Sequence, residues 1–476
     1  MSGPLVDTVG SAWAPDGGRS DVVNLDNAAT TPMAKRVFDA VSTALELYGS
    51  VHRGAGPKSV ISTYLYENCF AVVRRFLGLE SDDVVVLATN ATTATNRLAG
   101  RYDFRPGDIV LISEIEHSSN DLPWRRVARV ERFRSTDDGY VDLDDLESRL
   151  HDFGGCVRIV AVTGASNVTG YMPPVHEIAR IAHRYGAEIF VDGAQLAAHG
   201  PVKMRSGSPD ADIDYLVLSG HKMFAPLGVG LIAGRKRVFE ALPPDLPGGG
   251  TVEMVTARDQ VWSHLEARLN PGTPNFAGMV ALAASMDLLL TLGEEATASH
   301  EASLNLAAVK ALSQIPELIL HGWKDELRYP GRITQSTERR LPIFSFSIPG
   351  IAHWALASRL GRRYRIAVRN GHLCQYEFMR RQLNISAAEQ EELEASLRSG
   401  QRAQVYGMVR ASGGLSSSAD DFVALGIALQ EIVADWREGR HNNIANETPQ
   451  LQAGAPVEVP PALRFLTPQQ EYEVLR

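Results

Sequence analysis

Short apolar runs alternate with helix-patterned stretches between about residues 80 and 235. The runs are 83–88 (DVVVLA), 108–113 (DIVLIS), 158–163 (RIVAVT), 188–192 (EIFVD) and 215–219 (YLVLS). Each is nearly continuous in Val, Ile and Leu, the pattern of a strand covered on both faces. Segments such as 178–185 (IARIAHRY) lie between them with helical spacing. The alternation predicts an α/β fold: a mostly parallel sheet with helices on both faces. The run 279–292 (MVALAASMDLLLTL) reads as a long buried helix joining two domains, too short to cross a membrane. Beyond it, 341–347, 365–368 and 407–412 read as a short sheet among helices.

The expected division is a loosely held Gly/Ser/Asp-rich segment at 1–21, a large domain at 22–285, a smaller α+β domain at 286–440 and a Pro/Gln-rich tail at 441–476. The first residues of the large domain are expected to pack on the small one. The tail reads as a disordered end or an arm around a partner subunit. Residues 243–250 (PPDLPGGG) read as a loop near a site entrance, and 385–404, rich in Glu, Arg and Ser, as an inserted helix. There is no internal repeat.

Composition narrows the function. A chain of 476 residues buries a large core and splits into domains. Its net charge of −9 argues against nucleic-acid and anionic-membrane partners. Three cysteines, Cys69, Cys156 and Cys374, fit a reducing cytoplasm without a disulfide framework. The start lacks a secretory signal pattern, and no metal-ligand spacing occurs, so no metal site is expected.

The candidate chemistry sits where the strands end. The run 215–219 stops at Ser219-Gly220-His221-Lys222. A lysine at the mouth of a buried strand is costly unless paired or used. One use is a Schiff base with an aldehyde cofactor, because desolvation makes the amine nucleophilic. Most lysines are instead solvated surface residues. Asp192 ends the preceding strand, where ligands bind in parallel α/β sheets. Alone it also reads as a cap. With Lys222 it meets the needs of pyridoxal 5'-phosphate: a lysine for the aldehyde and a carboxylate for the pyridinium nitrogen. After 83–88, Ala91-Thr92-Thr93 opens a helix whose hydroxyls and free N–H groups suit a phosphate, although an ordinary cap has the same look. His117, after another strand, is placed to stack on a ring or simply to hydrogen-bond.

These motifs, taken in order, resemble the class V aminotransferase family of fold-type I pyridoxal-phosphate enzymes, in its cysteine desulfurase and selenocysteine lyase branch. The resemblance runs over about 22–438. It rests on 24–32 (NLDNAATTP), 51–54 (VHRG), Ala91-Thr92-Thr93, His117, Asn167, Asp192 with Gln195, 219–222 (SGHK), 272–275 (GTPN), 369–374 (RNGHLC) and 410–412 (RAS). It implies a mostly parallel seven-stranded sheet flanked by helices, plus a smaller α+β domain, in a homodimer. It also implies site roles. Lys222 carries the cofactor and moves protons at the substrate α-carbon. Asp192 pairs with the ring nitrogen, Gln195 with the ring oxygen, and His117 stacks on the ring and joins Lys222 and Cys374 as a catalytic residue by helping proton transfer. Ala91, Thr92, Thr93, Ser219 and His221 hold the phosphate, and Thr273 reaches the neighbouring subunit's site. Asn167 lies by substrate and ring. Arg410 clamps the substrate carboxylate, with Arg369 and His52 in the same pocket.

Cys374 decides the reaction. In desulfurases a loop cysteine takes the sulfur of L-cysteine as a persulfide and alanine leaves. Neighbouring cations such as Arg369 or His372 favour the thiolate this needs. Cys374 stands five residues after Arg369, as in desulfurases with a short catalytic loop. The competing reading is a small buried hydrophobe. The residues after it, Gln375-Tyr376-Glu377-Phe378, and the 385–404 insertion depart from the family pattern. The expectation is therefore desulfuration of L-cysteine, with the sulfur passed to an acceptor protein or a biosynthetic enzyme. β-Elimination from a cysteine conjugate, amino-acid epimerisation and a non-catalytic relay partner remain as alternatives.

Overall fold

The computed structural model describes residues 3–10, 22–323, 340–400 and 405–440. Its centre is a seven-stranded sheet: β1 (Asp83–Ala88), β2 (Ile109–Ser113), β3 (Arg129–Phe133), β4 (Val157–Thr163), β5 (Glu188–Asp192), β6 (Tyr215–Ser219) and β7 (Gly230–Arg235), in the order β1-β7-β6-β5-β4-β2-β3. All pairings are parallel except those of β7, which runs antiparallel to β1 and β6. Fold-type I architecture is thus the observed one. Two strands escape a reading of hydrophobic runs. β3 (RVERF) is an edge strand and carries three charges, and β7 (GLIAGR) is interrupted by glycine.

A four-stranded antiparallel sheet lies in the second half: β8 (Ile319–His321), β9 (Ile343–Ser347), β10 (Arg369–Gly371) and β11 (Met408–Ser412), ordered β8-β9-β11-β10. It has its own apolar cluster, including Phe344, Phe346, Phe422 and Leu429. The strand expected at 365–368 is displaced. Arg365 ends its helix in the left-handed conformation (φ 56), Ile366–Ala367 pairs with Val23–Asn24, and the sheet strand begins only at Arg369. The N-terminal segment therefore runs beside the small sheet before it enters the site. The expected inserted helix is present at Ala387–Arg398, closed by a Ser386/Glu389 capping box. The remainder of that insertion (401–404), most of the 1–21 segment and the 441–476 tail lie outside the described residues.

The long helix Phe276–Leu292 is apolar over most of its surface because most of it is buried, with Asp287 and Thr291 on its outer face. At Gly293 (φ 79) the chain bends by 85° into Glu294–Leu312, which packs on Ala419–Arg437. No single described helix is long and apolar enough to cross a membrane. Phe276–Leu292 also buttresses the chain after β6. Asn275 caps it, accepting from Gly278 N–H at 2.9 Å, and donates to the Leu227 carbonyl at 2.8 Å. The Ser285 hydroxyl donates to the Met223 carbonyl.

Gly230 brings two parts of the site together. A Cβ there would stand 2.6 Å from the Leu218 carbonyl oxygen and 2.7 Å from Asn90 Cα, both rigid backbone. Only glycine lets the turn after β1 close over the end of β6. Gly230→Ala is expected to cost about 1–3 kcal/mol by overpacking in urea denaturation. Gly155→Ala, at a position with no atom within 4 Å, should stay within about 0.5 kcal/mol. Equal stability of the two variants would show that this close approach imposes no constraint.

Candidate active site

The carboxyl ends of the parallel strands open into a cavity of about 490 Å³. From β6 it receives Ser219, His221 and Lys222, and from β5 Asp192 and Gln195. The turn after β1 adds Asn90, Ala91 and Thr92, the turn after β2 adds His117 and Ser119, and Asn167 follows β4. Arg369, Cys374 and Arg410 enter from the small sheet and its loop. Segments far apart in sequence thus converge where a parallel sheet leaves room for a ligand.

Lys222 is held in a short turn pinned by the N-terminal segment. The His221 carbonyl accepts from Thr31 N–H at 3.0 Å, and Thr31 Oγ1 accepts from Phe224 N–H at 2.6 Å. Phe224 takes a left-handed φ of 62° there, a strain for a bulky residue that the hydrogen bond offsets. Burial brings the Lys222 ammonium down to about 8; Asp192 and Cys374 oppose the shift and Arg410 adds to it. Burial, then the positive charges of Lys222 and Arg410, push His117 down to about 4 despite Asp192. His117 Nδ1 accepts from Ser119 N–H at 3.0 Å, so the neutral ring carries its proton on Nε2.

Asp192 Oδ1 accepts from Ala194 N–H at 3.0 Å. Gln195 Nε2 donates to the Ala28 carbonyl at 2.7 Å. Asn90 caps the helix Ala91–Ala99 through Thr93 N–H at 2.9 Å, while Ser219 Oγ accepts from Ala91 N–H at 2.8 Å. Thr92 Oγ1 lies 2.7 Å from Ser119 Oγ. A helix start and hydroxyls from two elements therefore face the same end of the cavity, a cradle for an anion.

At the opposite end, Arg369 and Arg410 are paired across β10 and β11. Asp26 bridges them, 3.1 Å from Arg369 Nη2 and 3.4 Å from Arg410 Nη2. Arg410 also donates to the Asn167 carbonyl at 3.0 Å, and its buried Nε has no hydrogen-bond partner. Burial lowers its guanidinium to about 10, with Arg369 adding to the shift and Asp26 and Cys374 opposing it.

The Cys374 loop is fixed from both sides. Leu373 and Cys374 have left-handed φ values of 51° and 57°. Asn167 donates to the Leu373 carbonyl at 2.6 Å, and Ser118 N–H to the Cys374 carbonyl at 3.0 Å. Buried Gln375 donates to the Ile115 carbonyl at 2.6 Å and to Asn167 Oδ1 at 3.0 Å. Cys374 is exposed into the cavity.

Three residues singled out in the sequence are not in this chain's own cavity wall. Thr93 turns to Asn90 and Thr89. His52 is exposed, 3.7 Å from Glu67, and Thr273 is exposed on its loop. The structure adds Asp26, Asn90, Glu116 and Gln375. Burial holds the Glu116 carboxyl up at about 8, although Ser113, Asn120 and Thr163 N–H all donate to it. Asp26 and Asn90 stand within or beside the recognisable motifs. Gln375 gives no local signal, since its partners are distant in sequence, and Glu116 has local partners in Ser113 and Asn120 but reaches Thr163 only through the fold.

The family model "Aminotransferase class-V" matches residues 23–425. A probable cysteine desulfurase of Halalkalibacterium halodurans is 32% identical over 370 residues, 76% of this chain and 86% of that protein. A cysteine desulfurase of Synechococcus elongatus is 34% identical over 76% of this chain and 56% of its own length. Among solved structures, the apo cysteine desulfurase of Thermococcus onnurineus NA1 superposes with a TM-score of 0.74 at 27% identity, covering 87% of this chain and 95% of the other.

The lowered Lys222 amine makes a direct prediction. A lysine titrating near 8 is half free base at that pH, whereas an ordinary lysine near 10.4 is almost wholly protonated. Reductive methylation of Lys222 by formaldehyde, followed by peptide mass spectrometry, should rise with pH to a midpoint near 8. A midpoint shared with the surface lysines would contradict the site's electrostatics.

Proposed function

The chain belongs to the class-V aminotransferase family, and from that premise we propose that it is a pyridoxal-phosphate-dependent cysteine desulfurase. It converts L-cysteine to alanine and leaves the sulfur as a persulfide on Cys374. The observation that carries this reading is Cys374 itself, held by its loop on the wall of the Lys222 cavity.

The residues present fit the cofactor. The cavity holds a lysine of lowered pKa, a buried carboxylate 30 residues before it in the chain, and an anion cradle at one end. When bound, pyridoxal phosphate supplies an aldehyde for a lysine amine and a ring that takes up electron density from the substrate. Lys222 anchors it and moves the proton at the substrate α-carbon. Asp192 would keep a proton on the ring nitrogen, and Gln195 and His117 would help hold the ring, the neutral His117 adding no charge. Thr92, Ser219 and His221, beside the helix start at Ala91, would hold the phosphate.

Arg410 and Arg369 receive the substrate carboxylate in place of Asp26; the partnerless Nε of Arg410 supports this. Asn167 fixes Arg410 through its carbonyl and the Cys374 loop through its amide, coupling substrate and nucleophile. The Cys374 thiolate attacks the cysteine sulfur, an S–S bond forms as the C–S bond breaks, and alanine leaves.

The enzyme works as a homodimer in this reading. Val60, Ile61 and Tyr64 give the helix Pro57–Leu77 an exposed apolar stripe. Arg53 and Gly272 both bond to the segment 249–252, which joins the His52 and Thr273 loops into one face. Thr273 then serves the neighbouring subunit's phosphate and His52 its substrate entrance. The three free thiols support a cytoplasmic setting.

Product analysis with L-cysteine tests the proposal. Cys374→Ala should lose alanine formation by about 100-fold or more while retaining cofactor. Unchanged turnover in the variant, or pyruvate as the product, would mean an eliminating lyase and a structural cysteine.

A further inference from the structure

Cys374 faces two cavities. Behind the site just described lies a second one of about 420 Å³, and Cys374, His372 and Tyr376 line both. The loop that carries the sulfur is therefore a partition between them. Its left-handed turn and its bonds to Ser118 and Asn167 hold it there.

The far wall of the second cavity comes from the inserted helix Ala387–Arg398. That helix is polar (AAEQEELEASLR) and has no buried residue, yet Leu393 and Leu397 line the cavity. Leu397 (47%), Leu122 (55%) and Tyr376 (50%) are left exposed around it. Apolar groups facing an open cavity beside a reactive sulfur are not explained by folding of the helix.

The arginines in the wall are all held in ion pairs. Asp121 holds Arg125 at 2.6 Å and Arg132 at 2.7 Å, and Arg380 pairs with Glu377 at 3.4 Å. Glu114 pairs with Arg381 at 2.7 Å and Glu394 with Arg398 at 3.2 Å. Among the described residues every arginine of this lining already has a carboxylate partner, Arg125 and Arg132 sharing Asp121. What it offers is aliphatic and aromatic surface in a volume typical of small-molecule sites.

The geometry points to this second cavity as the binding site for the sulfur acceptor, a small uncharged organic thiol with an apolar or aromatic body. The inference rests on the persulfide reading of Cys374. The acceptor thiolate attacks the outer sulfur of the persulfide, the S–S bond breaks, and Cys374 leaves as a thiolate. The acceptor departs as a hydropersulfide, so no external oxidant or reductant is required. Substrate enters on one face of the loop and sulfur leaves on the other.

Two measurements on the holoenzyme test this. Benzyl alcohol, which has the aromatic body but no thiol, should slow alkylation of Cys374 by iodoacetamide about fivefold or more in wild type. In a Leu393→Asp/Leu397→Asp variant the protection should fall below about twofold. No protection of wild type would overturn the site whether or not the enzyme is a desulfurase. Next, enzyme loaded by stoichiometric L-cysteine is challenged with thiols at equal thiolate concentration. Benzyl mercaptan should discharge the persulfide about tenfold faster than charged glutathione. Equal rates, or discharge only by a cysteine-bearing protein, would overturn the proposal. The alanine burst reports the loading step separately, so its absence would count against the desulfurase reading while the alkylation result still decides the cavity.

Discussion

Everything in this site depends on keeping the Lys222 amine out of water. Desolvation, not a neighbouring cation, is the largest influence on it, and Asp192 only partly restores the charged form. A solvated lysine would be protonated and inert at neutral pH. The fold fixes the turn that carries Lys222 from several directions: the N-terminal Thr31, the buried helix Phe276–Leu292 and the turn closed over Gly230. None of these touches chemistry directly, yet each keeps the turn after β6 shut.

The second constraint is on the anion end. Two arginines side by side on antiparallel strands repel each other, and Asp26 relieves this from a segment nearly 350 residues away in sequence. The same N-terminal segment pairs with Ile366–Ala367 and bonds to the Lys222 turn. One stretch of chain thus ties the small sheet, the arginine pair and the lysine together. Asn167 does the equivalent for the Cys374 loop, so Arg410 and Cys374 share a support.

Much of the large sheet was legible because strands buried on both faces are written as unbroken apolar runs. β3 and β7 were not, since an edge strand tolerates charge and a strand that must admit a close approach needs glycine. The lysine and aspartate of the site were legible where strands close, and Arg410, inside β11, through the family resemblance. The supports were not: Gln375 and Asp26 act through partners that only the fold brings near, and Glu116 meets Thr163 only in the folded chain. Likewise the 385–404 insertion reads as a polar helix, but its two leucines acquire meaning only when the cavity beside Cys374 is seen.

The central claim is that Cys374 takes the sulfur. Its most direct test is mass spectrometry of the holoenzyme quenched after a single equivalent of L-cysteine under non-reducing conditions. The account predicts a protein heavier by one sulfur atom, with the added mass on the peptide that contains Cys374. An unmodified protein after alanine or pyruvate has formed, or the added sulfur on Cys156, would contradict it.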